Sequence, residues 1–90
     1  MKLYKNGKEY CEVVSFEKTG ITKEVKQMGQ SEPLEVLDEY ELITTKKIVA
    51  EMGVRYAIDG VGGSVDLDLI VGKPEKVKEG YLIHVFTNDA

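Results

Sequence analysis

The sequence predicts a mainly β protein, a single small antiparallel barrel or sandwich of six to seven strands. Three observations support this fold class. Short runs alternate apolar with polar residues, turn signals separate the runs, and 42% of the 90 residues are hydrophobic. A chain of this length buries only about 60–65% of its unfolded surface, so residues 1–90 are expected to form one domain with a small core. An α+β fold with one or two short helices is the alternative.

The N-terminal third carries the clearest hairpin signal. Asn6-Gly7 separates two alternating runs, and a type I′ turn requires the positive φ that this pair tolerates. We expect a strand from Lys8 to Phe16, a turn at Lys18-Thr19-Gly20 and a further extended segment over 21–28.

The middle third leaves two segments open. Residues 30–41 are predicted to form an acidic loop or arm, either as a helix with Ser31 as its N-cap or as an extended loop or hairpin arm. Residues 40–50 alternate as a strand would, but Thr45 could also cap a short helix over 46–52 that ends at Gly53.

The last third predicts three strands. They cover residues 54–59, 64–71 and 81–87. The second has the most regular alternation, with Val65, Leu67 and Leu69 on one face. Residues 72–80, which are charged and include Pro74, are expected to form a connection.

The charge distribution indicates a function at the surface of the protein rather than in a catalytic site. Sixteen acidic against twelve basic residues give a net charge of −4, which disfavours direct nucleic-acid binding. Five acids fall within ten residues, which predicts a solvated face or one that meets a basic partner. The glycine-rich turn after Asp59 is expected to be a flexible hairpin or bulge, with a ligand-binding backbone nest as the sharper hypothesis. The partner-contact candidates are Glu32, Glu35, Asp38, Glu39, Glu41, Asp59, Gly60, Gly62 and Gly63.

We expect no enzymatic activity, no cofactor and no metal. Cys11 and His84 are the only residues of their types, so a thiol–imidazole pair has little support. Asp66 and Asp68 could present oxygen ligands on one strand face, but an Asp-x-Asp pattern is more often the wet side of a strand. The N-terminus lacks the apolar region of a signal peptide, and no apolar run is long enough to span a membrane. The expected location is therefore a cytoplasm.

A family resemblance rests on the first hairpin. Residues 3–17, LYKNGKEYCEVVSFE, together with KEVKQMG at 23–29, resemble the N-terminal hairpin of contractile-phage tail tube proteins of the Bacillus-prophage type. The resemblance covers about residues 3–29. It implies a non-enzymatic phage or prophage protein whose β-sandwich subunits assemble into stacked rings, so that the partner is a second copy. It also implies that the protein lies in the cytoplasm of the host cell or in the assembled virion. The alternative is a small phage-type binding module that inhibits a host protein, for example of a defence system, or sequesters a small ligand.

Overall fold

The computed structural model describes residues 1–25, 29, 35–60 and 63–87, and it confirms the mainly β fold class. No helix occurs in these ranges. The seven strands are β1 (Lys2–Lys5), β2 (Lys8–Val25), β3 (Glu35–Thr44), β4 (Tyr56–Gly60), β5 (Gly63–Asp66), β6 (Leu69–Val77) and β7 (Gly80–Thr87). Over the described residues, no helix is long and apolar enough to cross a membrane.

All seven strands belong to one antiparallel sheet in the order β5-β4-β1-β2-β3-β7-β6. Its two edge strands, β5 and β6, are consecutive in the chain and are joined by Leu67 and Asp68. The Leu67 N–H donates to the Tyr56 carbonyl at 3.0 Å, and the Asp68 N–H donates to the Phe86 carbonyl at 3.0 Å. The chain thus passes from one edge of the sheet to the other, and the sheet curls around its core. The prediction of one strand over 64–71 was wrong at this crossing, where pairing changes from β4 to β7.

Strand β2 is longer than predicted because a bulge replaces the expected turn. Thr19, Gly20 and Ile21 lie opposite Glu39 alone, between the pairs Lys18↔Tyr40 and Thr22↔Asp38. Gly20 has φ +92°, which permits the bulge with little strain. Both halves of β2 pair with β3, so this hairpin runs well past β1.

The predicted connection at 72–80 was also wrong for most of its length. Strand β6 continues to Val77, and only Lys78 and Glu79 form a turn. Its irregular part is a bulge in which Gly72, at φ +76°, and Pro74 fall between the pairs Val71↔His84 and Glu75↔Leu82. Proline is tolerated there because β6 is an edge strand and the bulge needs no ladder donor.

The helix considered for 46–52 does not form. The segment between β3 and β4 is irregular because its backbone groups bond to β2: the Thr45 N–H donates to the Glu12 carbonyl at 3.1 Å, and the Tyr10 hydroxyl donates to the Lys47 carbonyl at 3.0 Å. Ile48, only 1% exposed, enters the core from this segment. Burial of Ile48 and pairing to β2 therefore override the local helix signal.

The core lies inside the curled sheet. Its buried side chains come from β1, β2, β3, β4 and β7 and from the segment after β3, and they include the single cysteine, Cys11, as a free thiol. Phe16 stacks on Tyr40 with ring centroids 4.2 Å apart and an interplanar angle of 10°. The buried apolar residues of this cluster are Leu3, Cys11, Val13, Tyr40, Leu42, Ile48, Tyr56, Ile58, Ile83 and Val85.

Candidate functional site

The predicted acidic segment is divided between the two faces of β3. Side chains alternate along a strand, so Asp38 points away from the side of Glu39 and Glu41. Asp38 is half-buried and pairs with the Lys18 ammonium at 3.5 Å. Glu39 accepts a hydrogen bond from the Thr19 hydroxyl at 2.9 Å. Of the other acids, Glu35 is the first residue of β3, and Glu32 lies outside the described residues. The described side chains of Asp38, Glu39 and Glu41 therefore do not form one surface.

Glu41 occupies an electrostatically crowded position. It lies directly opposite Glu17 on β2 and opposite His84 on β7. Like charges directly opposite each other destabilise a sheet. Its ion-pair partner among the described residues is the His84 imidazole, whose Nε2 is 3.9 Å from a Glu41 carboxylate oxygen, and both side chains are about half exposed. We call Glu17, Glu39 and Glu41 the acidic face; its charges remain only partly compensated by the described residues around them.

A basic surface that sequence reasoning missed lies at the other end of β3. The ammonium groups of Lys5 and Lys46 each lie 5.2 Å from the centroid of the Tyr10 ring. Those of Lys47 and Lys76 lie 5.8 Å and 4.9 Å from the centroid of Tyr81. We call these four lysines and two tyrosines the lysine–tyrosine patch. The only sequence signal was the dipeptide Lys46-Lys47 after a strand, because Lys5 and Lys76 are remote in the chain.

The strand register accounts for this patch. Lys76 and Tyr81 are direct partners across β6 and β7, and Tyr81 in turn faces Thr44, the last residue of β3. The Tyr10 hydroxyl donates to the Lys47 carbonyl, and the Lys47 ammonium lies near the Tyr81 ring, so both tyrosines border the segment after β3. Each lysine gains about 0.5–1 kcal/mol from a ring at an exposed site. The gathered ammonium groups nevertheless repel one another, so the patch favours an anionic partner.

The acidic face and the lysine–tyrosine patch point in different directions. Tyr81 shares a row with the fully buried Thr44, whereas Glu41 has the opposite alternation on β3. Among the described residues, no ion pair within 4.0 Å joins a glutamate of the acidic face to a lysine of the patch. Two surfaces of opposite sign are therefore available on one molecule.

The glycine-rich turn lies beside an open groove of about 750 Å³. Asp59 and Gly60 end β4, Gly63 begins β5, and Gly60 faces Gly63 across the hairpin; Gly62 lies outside the described residues. The groove runs over the outer side of β1, β4 and β5. It is lined by Tyr4, Asn6, Gly7, Arg55, Tyr56, Ala57, Asp59, Ser64 and Asp66.

Two side chains near this groove have shifted pKa values. A hydrogen bond from Lys2 to Glu9, and the charge of that carboxylate, raise the pKa of the Lys2 ammonium. Burial raises the pKa of the Tyr56 phenol, and the charge of Lys5 opposes that shift. Neither group is placed to exchange a proton with a second shifted group in the groove.

The remaining candidates for chemistry are dispersed. Cys11 is buried in the core, whereas His84 lies half exposed on the outer side of β7. Asp66 ends β5, and Asp68 lies in the crossing to β6, so they do not share a strand. In the ranges that the structure describes, no three His, Cys, Asp or Glu side chains are grouped as metal ligands.

Comparison of the chain with protein-family models, with curated proteins and with solved structures found no match.

Proposed function

We propose that this protein is a non-enzymatic assembly protein that acts by binding further copies of itself. The observation that supports the proposal is the separation of charge on its surface. The lysine–tyrosine patch lies beyond the C-terminal end of β3, and the acidic face lies along the preceding part of the same strand. Each surface holds charges of one sign that repel one another, and contact with the other surface would offset this repulsion.

Contact between the patch of one copy and the acidic face of another is a heterologous interface. Such an interface joins two different surfaces, so it closes into a ring or continues as a filament, depending on the rotation between copies. This behaviour agrees with the ring assembly that the resemblance of residues 3–29 to tail tube proteins implies. Tyrosines within the patch add apolar area to the charge contacts, as is common in protein interfaces.

A second copy fits the patch better than a nucleic acid does. The net charge of −4 opposes the approach of a polyanion to the molecule as a whole. A second copy brings three glutamates without a continuous line of phosphates, and it is always present at the concentration of the protein itself.

The test is light scattering coupled to size-exclusion chromatography over a range of protein and salt concentrations. We expect a mass that grows with protein concentration at low salt and falls at high salt, because the Debye length shrinks from about 30 Å at 0.01 M to about 3 Å at 1 M ionic strength. K46E/K47E should reduce the mass to that of a monomer. Since both lysines are exposed, the variant should keep its fold.

The matched control is K73E/K78E, which changes the net charge equally at two exposed lysines that contact neither tyrosine of the patch in the described contacts. It should assemble as the natural sequence does. E17K/E41K should fail to assemble alone and should assemble when mixed with K46E/K47E. A strict monomer at every concentration would contradict the proposal, and a monomer that retains one host protein in a pull-down would support the binding-module alternative instead.

A further inference from the structure

The groove beside the β4–β5 hairpin has a defined shape. Tyr4 on β1, Ala57 on β4 and Asp66 on β5 lie side by side across three neighbouring strands. Direct partners on adjacent strands project to the same face. The small methyl group of Ala57 between two larger side chains leaves a depression, and this depression is the middle of the groove.

Charges of opposite sign lie at the two ends of this depression. Arg55 precedes Ala57 by two residues, and Asp59 follows it by two, so their Cα atoms are about 13 Å apart on extended chain. Asp66 is diagonal to Asp59 on the next strand, about 7–8 Å away. The groove thus presents Arg55 at one end and Asp59 at the other, with the Asp66 carboxylate level with Ala57 between them.

These charges have no ion-pair partners among the described residues. No described salt bridge within 4.0 Å includes Arg55, Asp59 or Asp66. Lys2 lies directly opposite Asp59 across β1 and β4, but its ammonium group pairs with Glu9. The charged side chains of the groove are therefore available to bind a ligand.

We propose that the groove binds an arginine residue with a free α-carboxylate, either as the amino acid or as the C-terminal residue of a peptide. The guanidinium would lie between Asp59 and Asp66, the alkyl stem would cross Ala57 beside the Tyr4 ring, and the carboxylate would meet Arg55. The separation between Arg55 and Asp59 suits an extended arginine ligand when the side chains of these two residues reach toward each other. Ser64, directly opposite Asp59, offers a hydroxyl to the same guanidinium.

The experiment is a titration followed by two-dimensional amide NMR, with L-arginine as the first probe. We expect saturable shifts of the amide signals of Tyr4, Ala57 and Asp66. L-citrulline, which replaces the guanidinium by a neutral group of similar shape, and L-argininamide, which lacks the carboxylate, should each bind at least tenfold more weakly. D59N/D66N should abolish binding, and the exposed control Glu75→Gln should leave it unchanged.

The peptides Gly-Gly-Arg and Gly-Gly-Arg-amide separate the two sources of this ligand. Tighter binding of Gly-Gly-Arg than of L-arginine would assign a peptide C-terminus, and the reverse would assign the free amino acid. Equal affinity for arginine and citrulline would overturn the proposal. So would shifts confined to the acidic face, or unchanged binding by a D59N/D66N variant whose spectrum shows the native fold. None of these outcomes depends on whether the protein self-associates.

Discussion

Replacing Gly80 with alanine should destabilise the fold more than replacing any open glycine. Gly80 begins β7 and is buried where this strand starts to run beside the end of β3. An added Cβ would lie 3.0 Å from the carbonyl carbon of Thr44 and closer still to its oxygen. Those atoms belong to backbone, so the strands themselves would have to separate.

The cost follows from what holds Thr44 in place. Thr44 is fully buried, and its hydroxyl donates to the Lys46 carbonyl at 2.7 Å. Because Thr44 cannot move outward freely, Gly80→Ala should cost about 2–3 kcal/mol, toward the upper part of the usual range for overpacking. For a domain of this size, that corresponds to a fall in Tm of about 10–20 °C.

The assay is thermal unfolding followed by circular dichroism, with Gly53→Ala as the matched control. Gly53 has φ +79°, but no atom lies within 4 Å of the position that a Cβ would occupy, so alanine there is strained without a steric clash. It should cost about 1 kcal/mol. If Gly80→Ala unfolded at the same temperature as Gly53→Ala or above it, the inferred contact between β7 and Thr44 would be refuted.

Three further changes test the core and the first turn. Burial raises the pKa of the Tyr56 phenol in the folded state, so the stability of the fold should decline as the pH rises above the ordinary tyrosine pKa of about 10. In measurements of Tm against pH, Tyr56→Phe should lessen this decline and Tyr4→Phe should not. Asn6→Ala should lower the free energy of unfolding in urea by about 1–2 kcal/mol, because Asn6 has φ +52° and its side-chain oxygen accepts a hydrogen bond from the Arg55 N–H at 2.8 Å. Asn6→Gly should recover part of this loss, and an unchanged unfolding midpoint for Asn6→Ala would contradict the role of Asn6. Leu42→Ala, at a fully buried position, should cost about 3–5 kcal/mol in the same assay, and a loss below about 1 kcal/mol would show that Leu42 does not pack as described.

The parts of the fold that sequence could predict are those fixed by local chemistry. The Asn6-Gly7 turn follows from two residues that tolerate positive φ, and both adopt it. Strand β7 follows from the seven extended, mainly apolar residues after Gly80. In each case the neighbours in sequence contain the physical reason for the structure, so no knowledge of the rest of the chain was needed.

The errors arose where a distant strand decides the outcome. Lys18-Thr19-Gly20 has the composition of a turn, but Gly20 permits a bulge equally well, and the choice depends on whether both halves of β2 pair with β3. The break at Leu67 has the same origin, since only the sheet order shows that one edge strand must end and the other begin there. Likewise, the segment after Thr44 is irregular because β2 supplies its hydrogen-bond partners.

The candidate surfaces show the same division. The acids of β3 are evident in sequence, but Asp38 and Glu39 are neighbours that point to opposite faces once the segment is extended, so a count of charges overstates the surface they form. The opposite holds for the basic surface, because its lysines are dispersed in the sequence and are brought together by the fold. Lys5 and Lys76 come from opposite ends of the chain and reach the vicinity of Lys46 and Lys47 only through the strand order β1-β2-β3-β7-β6.

A net charge of −4 therefore describes the whole molecule and not the surface that a partner meets. In the proposed assembly, a second copy would meet four ammonium groups near two tyrosine rings, and its own acidic face would supply the complementary charge. Because each lysine reaches the patch from a different part of the fold, apart from the adjacent Lys46 and Lys47, reversing one lysine removes one charge and leaves the rest in place. Single reversals should accordingly weaken assembly in steps, whereas a contact through one dominant ion pair would be lost all at once.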